Sequence, residues 1–403
     1  MKFQHKLLLM IILFGFININ NNLIVSGELE SISRTKMDYI IHDTINILGN
    51  EDFHTWATNE GWSGNGTEET PYIITNYYIT FDTRAFGVFD SNIYFILENN
   101  YFEGNTTGAW CTIHFSNSSN GVVRNNYVTA GNNGIDLVNC LNITVRDNIF
   151  VNNYLNGINL GHSNNTLIEN NTIYQNKKNG ICLTGAANNT IRNNIIFENR
   201  NTGIQLYSDS NQNYVYNNYI FNETYIDYVS GFSNGITLNG ADFNTFYSNT
   251  IFNCSDYGIR IGFNSNNNSF SNNIVIENKN YGFYVEGDQN TITKNNLTTN
   301  YNTNKSQAYD KGINNLFEKN YWNDHLTVED TNNDNILDQP YEIDGTANNK
   351  DLLPVKSLKD LDTERNSSLT NTDGNNDANT NGFISISLFF ALPFYYLARK
   401  ERS

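Results

Sequence analysis

Acidic and tyrosine side chains are concentrated in one irregular segment of this sequence. Residues 222–233 have the sequence Asn-Glu-Thr-Tyr-Ile-Asp-Tyr-Val-Ser-Gly-Phe-Ser. Clustered carboxylates can raise one another's pKa, which suits a general acid or a cation site, and tyrosine rings can stack on sugars. Together with acidic residues at equivalent turns, the segment supplies four candidate catalytic carboxylates: Glu198, Glu223, Asp227 and Asp256.

Some candidate sugar contacts lie in the same region of the sequence. Others occupy an outward-facing position of the repeats described below. The candidates are Tyr225, Tyr228, Gln205, Arg260 and Glu277. A loop carried by a rigid scaffold is a common location for function. The alternative, an acidic solvated turn that tolerates an insertion, stays open.

A second set of oxygen ligands occurs near the C-terminal end of the repeats. Alternate positions of a calcium loop would be filled by Asp330, Asn332, Asp334, the carbonyl of Ile336, and Asp338. Hard Ca²⁺ prefers carboxylate and carbonyl oxygens on one tight turn. The sixth position is Asn335 in place of the usual glycine, and the twelfth is Tyr341. The sequence therefore predicts Ca²⁺ as a candidate cofactor, with a solvated acidic turn as the alternative.

A short motif repeated along the chain must position these residues. Gly-Ile-x-Leu or a close variant begins at Gly134, Gly157, Gly180 and Gly203 and continues after a longer gap. The period is about 23 residues, within the range of roughly 20–50 that is typical of repeat architectures. Each repeat contains three brief apolar alternations separated by Asn and Gly, which indicates three strands per coil.

Three strands per coil predict an all-β parallel β-helix with coils about 4.8 Å apart. Four inner columns are expected. They contain Ile135, Ile158, Ile181, Ile204, Ile236, Ile259 and Phe283; Leu137, Leu160, Leu183, Leu206, Leu238, Ile261 and Val285; Val145, Ile168, Ile191, Val215, Phe246, Phe270 and Ile292; and Phe150, Ile173, Ile196, Ile220, Ile251 and Val275. The last Asn of each Asn-Asn motif should tolerate left-handed backbone and bond to its equivalents above and below.

At this level the chain resembles a known family. The Gly-Ile-x-Leu and Asn-Asn repeats, followed by Asn320-Tyr321-Trp322-Asn323-Asp324 and Ile343-Asp344-Gly345, resemble right-handed parallel β-helix proteins of the NosD-like, carbohydrate-binding and sugar-hydrolase (CASH) superfamily. The resemblance covers roughly residues 45–356. It implies the fold more specifically than the function, since the superfamily holds lyases, hydrolases, epimerases, binding proteins and adhesins.

Composition shifts divide the chain into six segments. An apolar run after Lys2 and Lys6 indicates a secretory signal, and a second run before Arg399 and Lys400 indicates a membrane anchor with a cytoplasmic basic tail. The predicted segments are a signal peptide (1–27), an N-terminal cap (28–85), β-helix repeats (86–325), a C-terminal cap with the candidate calcium loop (326–357), a flexible polar stalk (358–381) and a transmembrane helix (382–403).

Bulk charge and cysteine usage exclude several classes of partner. With 24 Lys and Arg against 41 Asp and Glu among 403 residues, the net charge of −17 disfavours nucleic acid. Cys111, Cys140, Cys182 and Cys254 lack metal-site spacing and are expected to be isolated thiols, with Cys111 pointing inward. Asn-x-Ser/Thr sequons such as the one at Asn65 suggest glycosylation. No dimer seam is evident, so a monomer is expected.

These observations favour an exported, membrane-anchored cell-surface protein that binds polysaccharide or surface-layer glycans. The alternative is an extracellular polysaccharide lyase or hydrolase. It is less favoured because a glycosidase needs two carboxylates about 5–9.5 Å apart, and the outward columns show no such pair. A NosD-like copper-processing role is a further alternative, although three Met and scattered His and Cys offer little for it.

Overall fold

The computed structural model describes residues 39–105, 111–224, 233–300, 306–325 and 327–357. Within these residues the chain forms one α-helix, α1 (Gly49–Glu60), and 36 short strands arranged in three sheets of 12, 11 and 13 strands. Successive strands in the sequence belong to different sheets. The result is the predicted parallel β-helix.

Sheet 1 consists of β1 (Ile40–Ile41), β4 (Tyr77–Phe81), β7 (Tyr101–Gly104), β10 (Tyr127–Thr129), β13 (Ile149–Val151), β16 (Thr172–Tyr174), β19 (Ile195–Phe197), β22 (Tyr219–Phe221), β25 (Thr250–Phe252), β28 (Ile274–Ile276), β31 (Asn296–Thr298) and β34 (Tyr321–Trp322). Sheet 2 consists of β2 (Ile45–Leu48), β5 (Phe86–Phe89), β8 (Cys111–Ser116), β11 (Asn133–Val138), β14 (Ile158–Gly161), β17 (Ile181–Thr184), β20 (Ile204–Tyr207), β23 (Ile236–Asn239), β26 (Ile259–Ile261), β29 (Phe283–Val285) and β32 (Ala308–Asp310).

Sheet 3 consists of β3 (Tyr72–Thr75), β6 (Phe95–Glu98), β9 (Gly121–Arg124), β12 (Thr144–Arg146), β15 (Leu167–Glu169), β18 (Thr190–Arg192), β21 (Tyr214–Tyr216), β24 (Thr245–Tyr247), β27 (Ser269–Ser271), β30 (Thr291–Thr293), β33 (Leu316–Glu318), β36 (Lys350–Asp351) and β35 (Tyr341–Glu342). The described strand pairs are parallel except β35 with β36, which is antiparallel.

The predicted inner columns are confirmed. Ile158, for example, lies opposite Ile135 and Ile181 in sheet 2, and every residue of the four columns is fully buried. Strand alternation explains the pattern, because Ile and Leu at positions two apart both point into the coil. Each such side chain contributes about 1.5–3 kcal/mol by leaving water. The stacked columns therefore form one continuous core.

A row of Asn side chains runs along one turn of every coil, as predicted. In this first Asn row the Nδ2 of each Asn donates to the Oδ1 of the next, at 3.0 Å from Asn126 to Asn148 and again from Asn171 to Asn194. One expectation is corrected. The left-handed residue is not the bonded Asn but the one before it, such as Asn193 with φ 56°. The ladder Asn needs ordinary backbone so that its amide can point along the row.

Further Asn rows follow two other turns of the coil. A second row passes through Asn153, Asn176 and Asn199 at 2.8 Å per step. A third runs from Asn189 through Asn213 to Asn315. Because these amides satisfy buried backbone groups as well as one another, the turns can be packed without water.

Aromatic residues pack at both ends of the described solenoid. Phe53 of α1 is fully buried and stacks on Tyr72 with ring centroids 5.7 Å apart. At the other end Trp322 stacks on Tyr341 at 4.0 Å, and its Nε1 donates to Asp351 at 3.0 Å. These contacts cover the first and last coils.

The signal peptide, stalk and transmembrane helix predicted from the sequence lie outside the described residues, and no helix within the described part of the chain is long and apolar enough to cross a membrane. The four cysteines are free thiols, as expected.

Candidate functional site

The outer face of sheet 2 carries the chemically varied side chains of the solenoid. Residues between the inward Ile and Leu positions point outward and align from coil to coil through the strand register. In chain order this sheet 2 face contains Asn46, Gly87, His114, Asp136, Asn159, Cys182, Gln205, Thr237, Arg260, Tyr284 and Tyr309. Cys182, Gln205 and Thr237 are at most 4% exposed, so the accessible side chains form two separate ends.

Stacked tyrosines mark the C-terminal end. The ring of Tyr284 stacks on Tyr257 with centroids 4.6 Å apart and on Tyr309 at 5.0 Å. We call these three residues the tyrosine stack; its spacing is that of successive coils. Burial and neighbouring Asp256 raise the pKa of Tyr257. Its phenol therefore stays protonated at neutral pH and can donate a hydrogen bond.

Two cations share one buried carboxylate beside the tyrosine stack. Glu286 accepts contacts from Arg260 Nη2 and from Lys311 Nζ, both at 2.6 Å. The Glu286 side chain is only 4% exposed, whereas both cations are partly exposed. The hydrogen bond to Glu286 raises the pKa of Lys311, which keeps its charge. Asp256 also interacts electrostatically with Arg260, so the two partly exposed cations face two carboxylates and their charges are compensated within the protein.

The N-terminal end carries a thiol, an imidazole and a carboxylate. Asp136 Oδ2 lies 3.1 Å from His114 Nδ1 and 3.4 Å from Cys111 Sγ. The strand register places His114 directly opposite Asp136, and Cys111 precedes His114 on β8. We call Cys111, His114 and Asp136 the mixed-ligand cluster. Among the described residues, it is the group of three His, Cys, Asp or Glu whose ligand atoms all lie within 4.8 Å of one another.

Neighbouring side chains fix the mixed-ligand cluster. Burial by itself raises the pKa of the Asp136 carboxyl, but hydrogen bonds from His114, from Asn159 Nδ2 at 2.7 Å and from the thiol outweigh it, so the pKa lies below its ordinary value. Burial and the adjacent carboxylate raise the pKa of the Cys111 thiol. The cluster thus contains an ionised carboxylate and a protonated thiol.

An aromatic and cationic wall adjoins the mixed-ligand cluster. The Phe89 ring lies 5.5 Å from the His114 ring, and the Arg84 guanidinium sits 4.7 Å above Phe89. Arg84 and Phe89 also line a surface cleft of about 270 Å³. Burial lowers the pKa of Arg84, although the neighbouring thiol and Asp136 oppose that effect.

The whole solenoid matches a known family. The description "Right handed beta helix region" fits residues 31–184, 90–220 and 156–332, which together span most of the chain. The chain belongs to this right-handed β-helix family. No curated protein matches the sequence.

Several solved structures share the β-helix fold at low identity. The A-module of mannuronan C-5 epimerase AlgE6 from Azotobacter vinelandii has a TM-score of 0.50 and 11% identity, covering 62% of this chain and 82% of that one. The periplasmic alginate epimerase AlgG gives 0.42 and 15%, covering 72% and 89%. Pectate lyase Pel9A gives 0.38 and 13%, covering 70% and 81%. At these identities the likeness concerns the fold alone.

The candidate carboxylates of this β-helix occupy different environments. Glu223 is fully buried in the second Asn row, where Asn199 Nδ2 donates to its Oε1 at 3.3 Å, and burial raises its pKa well above the usual range. Gln175 donates to Glu198 at 2.9 Å. Burial raises the pKa of Asp256, which accepts a bond from Asn280 at 3.0 Å.

Two acidic residues of the candidate set, Glu198 and Glu277, share one column of the β-helix but lie far apart. Glu198 and Glu277 occupy the same turn three coils apart, about 14 Å along the axis at ~4.8 Å per coil. That backbone separation exceeds the roughly 5–9.5 Å between glycosidase carboxyl groups. Tyr225, Asp227 and Tyr228 lie outside the described residues. A catalytic role for this set stays a prediction.

Of the predicted sugar contacts, Arg260 lies at the accessible C-terminal end of the sheet 2 face. Gln205 lies in the same column but is only 4% exposed, so it offers little surface to a bulky sugar. Glu277 sits in a left-handed turn with φ 52° on the sheet 1 side.

The candidate calcium loop forms a tight turn held by its own side chains. Asp330 Oδ1 accepts from the backbone of Asp334 at 3.2 Å, and Asp334 Oδ1 accepts from the backbone of Ile336 at 2.8 Å. Asn332 Nδ2 donates to Asp334, and the Thr331 amide donates to Asp338 at 3.1 Å. Calcium binding by this loop stays a prediction.

The mixed-ligand cluster was missed because Cys111 was expected to point inward. That expectation is wrong, since Sγ contacts the outward Asp136. Cys111 is the first residue of β8, where Thr112 and Ile113 are both buried and alternation is not yet regular, and its register partner is the polar Asn133. The signal in the sequence was the adjacency of His114 and Asp136 in one outward column. Tyr309 was missed because the chain between β31 and β32 departs from the repeat period.

Proposed function

We propose that this protein binds an anionic polysaccharide at the C-terminal end of the sheet 2 face. The observation that carries the proposal is the tyrosine stack beside the Arg260–Glu286–Lys311 ion pairs. A polysaccharide is a regular polymer of rings, and the stack is a regular row of phenols at intervals of 4.6 and 5.0 Å. A chain lying along the solenoid axis would meet one phenol per coil.

Each part of this end suits a different group of an acidic sugar. The ring faces are occupied by one another, so the phenol edges and hydroxyls are left for hydrogen bonds with sugar hydroxyls. Arg260 and Lys311 are partly exposed and would attract a carboxylate of the sugar by their charge. Buried Glu286 keeps both cations in place. A mannuronan epimerase with the same fold acts on a polysaccharide, which agrees with this ligand class.

We further propose that the protein is exported through residues 1–27 and held at the cell surface by residues 382–403, with the solenoid displayed outside. Binding, in adhesion or recognition, is favoured over a polysaccharide lyase or hydrolase because Glu223, the candidate carboxylate that interacts with Glu198, is fully buried and presents no surface to a sugar. The regular, charge-compensated surface at Tyr284 suits recognition of a repeating polymer.

Titration of the full chain with alginate, polygalacturonate and neutral dextran tests the proposal, with bound and released sugar measured together. We expect binding to the two anionic polymers and not to dextran, weakened about fivefold by Tyr284→Ala or Tyr309→Ala, since the net contribution of one hydrogen bond is ~1 kcal/mol. Arg260→Met should reduce both the affinity and its dependence on salt. Tyr214→Ala on sheet 3, whose residue is 53% exposed, is the matched control.

Three results would contradict the binding proposal. Equal affinity for dextran would remove the role of charge. Loss of binding in Tyr225→Ala or Tyr228→Ala, with Tyr284→Ala unaffected, would place the site at residues 222–233. Release of shortened or unsaturated sugar would favour the lyase or hydrolase alternative.

A further inference from the structure

We propose that the mixed-ligand cluster binds one Zn²⁺ ion through Cys111 Sγ, His114 Nδ1 and Asp136 Oδ2, with a fourth position open. This site is separate from the polysaccharide site proposed above and does not depend on it. It lies at the opposite end of the sheet 2 face, on strands β8 and β11.

The distances suit a small tetrahedral ion. Zinc bonds of about 2.3 Å to sulfur, 2.0 Å to nitrogen and 2.1 Å to oxygen place ligand atoms about 3.4–3.6 Å apart at tetrahedral angles. The carboxylate oxygen lies 3.1 Å from the imidazole nitrogen and 3.4 Å from sulfur. The two distances to Asp136 would widen by a few tenths of an ångström on binding, and the sulfur and the imidazole nitrogen already lie within 4.8 Å of each other.

The ligand types select the class of metal. A thiolate and an imidazole with one carboxylate suit zinc, whereas Ca²⁺ and Mg²⁺ prefer oxygen ligands only. Three protein ligands leave one position for water or another small ligand, as in open zinc sites. Zn²⁺ would displace the thiol proton of Cys111 to solvent and leave the imidazole proton of His114 on Nε2, and the resulting thiolate and the Asp136 carboxylate would together balance the charge of the ion.

Surrounding residues supply the support that metal ligands need. Asn159 Nδ2 donates to the second oxygen of Asp136 at 2.7 Å, which leaves Oδ2 directed at the cluster. Phe89 packs beside the His114 ring. Because β8 and β11 are paired in register from Cys111 to Ser116, the backbone holds the three ligands in a fixed relation. Such outer contacts orient ligands in metal sites.

A nucleophilic thiol is a poorer account of the same residues. A nucleophilic cysteine requires its sulfur to contact the base that removes its proton. Here the sulfur contacts the carboxylate, and the imidazole contacts the same carboxylate oxygen. The Asp136 carboxylate therefore contacts both the thiol and the imidazole. In a nucleophilic triad it would contact the imidazole alone.

Calorimetric titration of the untagged, chelator-treated full chain with Zn²⁺ tests the site. We expect one ion per chain, bound at least about 100-fold more weakly by Cys111→Ser, His114→Gln and Asp136→Asn, because even outer contacts cost ~10–100-fold. Asn159→Leu should weaken binding about tenfold. Cys182→Ser, a buried thiol two coils away on the same face, and Asp330→Asn in the candidate calcium loop should leave it unchanged.

Co²⁺ gives a second readout that does not depend on affinity. We expect a thiolate-to-cobalt absorption band in the near ultraviolet that is absent from Cys111→Ser, with circular dichroism showing that each variant is folded. A folded chain that binds no zinc would overturn the proposal. So would zinc binding of unchanged strength in both Cys111→Ser and Asp136→Asn, since the ion would then lie elsewhere.

Discussion

The first and second Asn rows run along the same solenoid but differ in continuity. The first row is made of Asn at every step from Asn100 to Asn320 and ends on Asp351. The second is Asn as far as Asn199, then continues with Glu223 and Cys254 before Asn278. Glu223 lies within the irregular segment of residues 222–233, and Cys254 is the equivalent residue of the next coil. The ladder is therefore unbroken where the coil is regular and interrupted where the chain departs from its period.

The difference also concerns hydrogen bonding. An Asn side chain both donates to the next residue and accepts from the previous one, so it can continue a row indefinitely. Glu223 accepts from Asn199, but its Oε2 has no hydrogen-bond partner among the described residues. Cys254 can donate only weakly. Two steps of the second row thus carry a desolvation cost that the first row avoids.

Breaking the first row should have the largest effect. Asn194→Ala removes the acceptor of both the backbone and the side-chain amide of Asn171 and leaves buried donors unpaired. We expect a loss of about 3 kcal/mol in the free energy of unfolding, because each unpaired buried group costs ~1–3 kcal/mol. Urea unfolding measures it. Asn59→Ala on the exposed side of α1 is the control, and an equal loss there would refute the importance of the row.

The interruption at Glu223 should make stability depend on pH. The unfolded chain releases this proton near the ordinary glutamate pKa of 4.5, whereas the folded protein keeps it because burial raises the pKa. Stability from this group is therefore complete below about pH 4.5 and falls as pH rises, by up to about 1.4 kcal/mol per unit. Glu223→Gln should remove the slope, so its advantage over the wild type grows with pH.

Urea unfolding at several pH values compares the two proteins. Glu277→Gln, which changes a partly exposed carboxylate at the same turn as Glu198 but three coils further along, is the matched control and should keep the wild-type slope. An advantage of Glu223→Gln that shrinks with rising pH would contradict a buried, protonated carboxyl.

Restoring Asn at the next position of the second Asn row, Cys254, should have a smaller effect. In Cys254→Asn, the new side-chain oxygen would accept a hydrogen bond from residue 223, whether that residue is Glu or Gln. The new side-chain amide would donate to Asn278 Oδ1, which already accepts from the backbone N–H of Cys254. We expect a gain of about 1 kcal/mol, the net value of one hydrogen bond. In the Glu223→Gln background the gain should be larger, because adjacent residues couple. Thermal unfolding of the single and double variants tests this coupling. Equal gains in the wild-type and Glu223→Gln backgrounds would show that the row does not act as a unit.

The smallest expected effect concerns backbone rather than side-chain bonding. Thr299 has φ 53°, a left-handed conformation that β-branched residues seldom adopt, whereas the same turn holds Asn253 two coils earlier. Thr299→Asn should raise the free energy of unfolding by roughly 0.5–1 kcal/mol through relief of that strain. Asn253→Thr is the reciprocal control, and stability that did not fall in it would argue against strain.

The sequence predicted the fold because its information is local and repeated. Ile158 and Leu160 alternate with polar residues in each coil, so the inner columns followed from spacing alone. Most Asn residues of the second row, such as Asn176 and Asn199, are not part of an Asn-Asn doublet, and the row becomes evident only when coils are stacked.

The candidate site was harder to predict, because it depends on residues from different coils. His114 and Asp136 appeared in one outward column, but a glycosidase pattern consists of paired carboxylates rather than mixed ligands. The tyrosine stack joins Tyr257 from a turn with Tyr284 and Tyr309 from strands, and no single repeat contains that arrangement. The sequence predicted that Gln205 faces outward. It could not predict that Gln205 is buried, because burial depends on tertiary packing.

The antiparallel strand β35 affects whether a second molecule can pair with the C-terminal end of the solenoid. A parallel solenoid ends in unpaired backbone groups that a second chain could extend, which is the way fibres grow. In sheet 3 the final position is taken by Tyr341 and Glu342, which run against β36, and Glu342 is paired with Lys350 at 2.8 Å. A short, charged strand of opposite direction offers no template for another coil. It thereby discourages polymerisation from the C-terminal end.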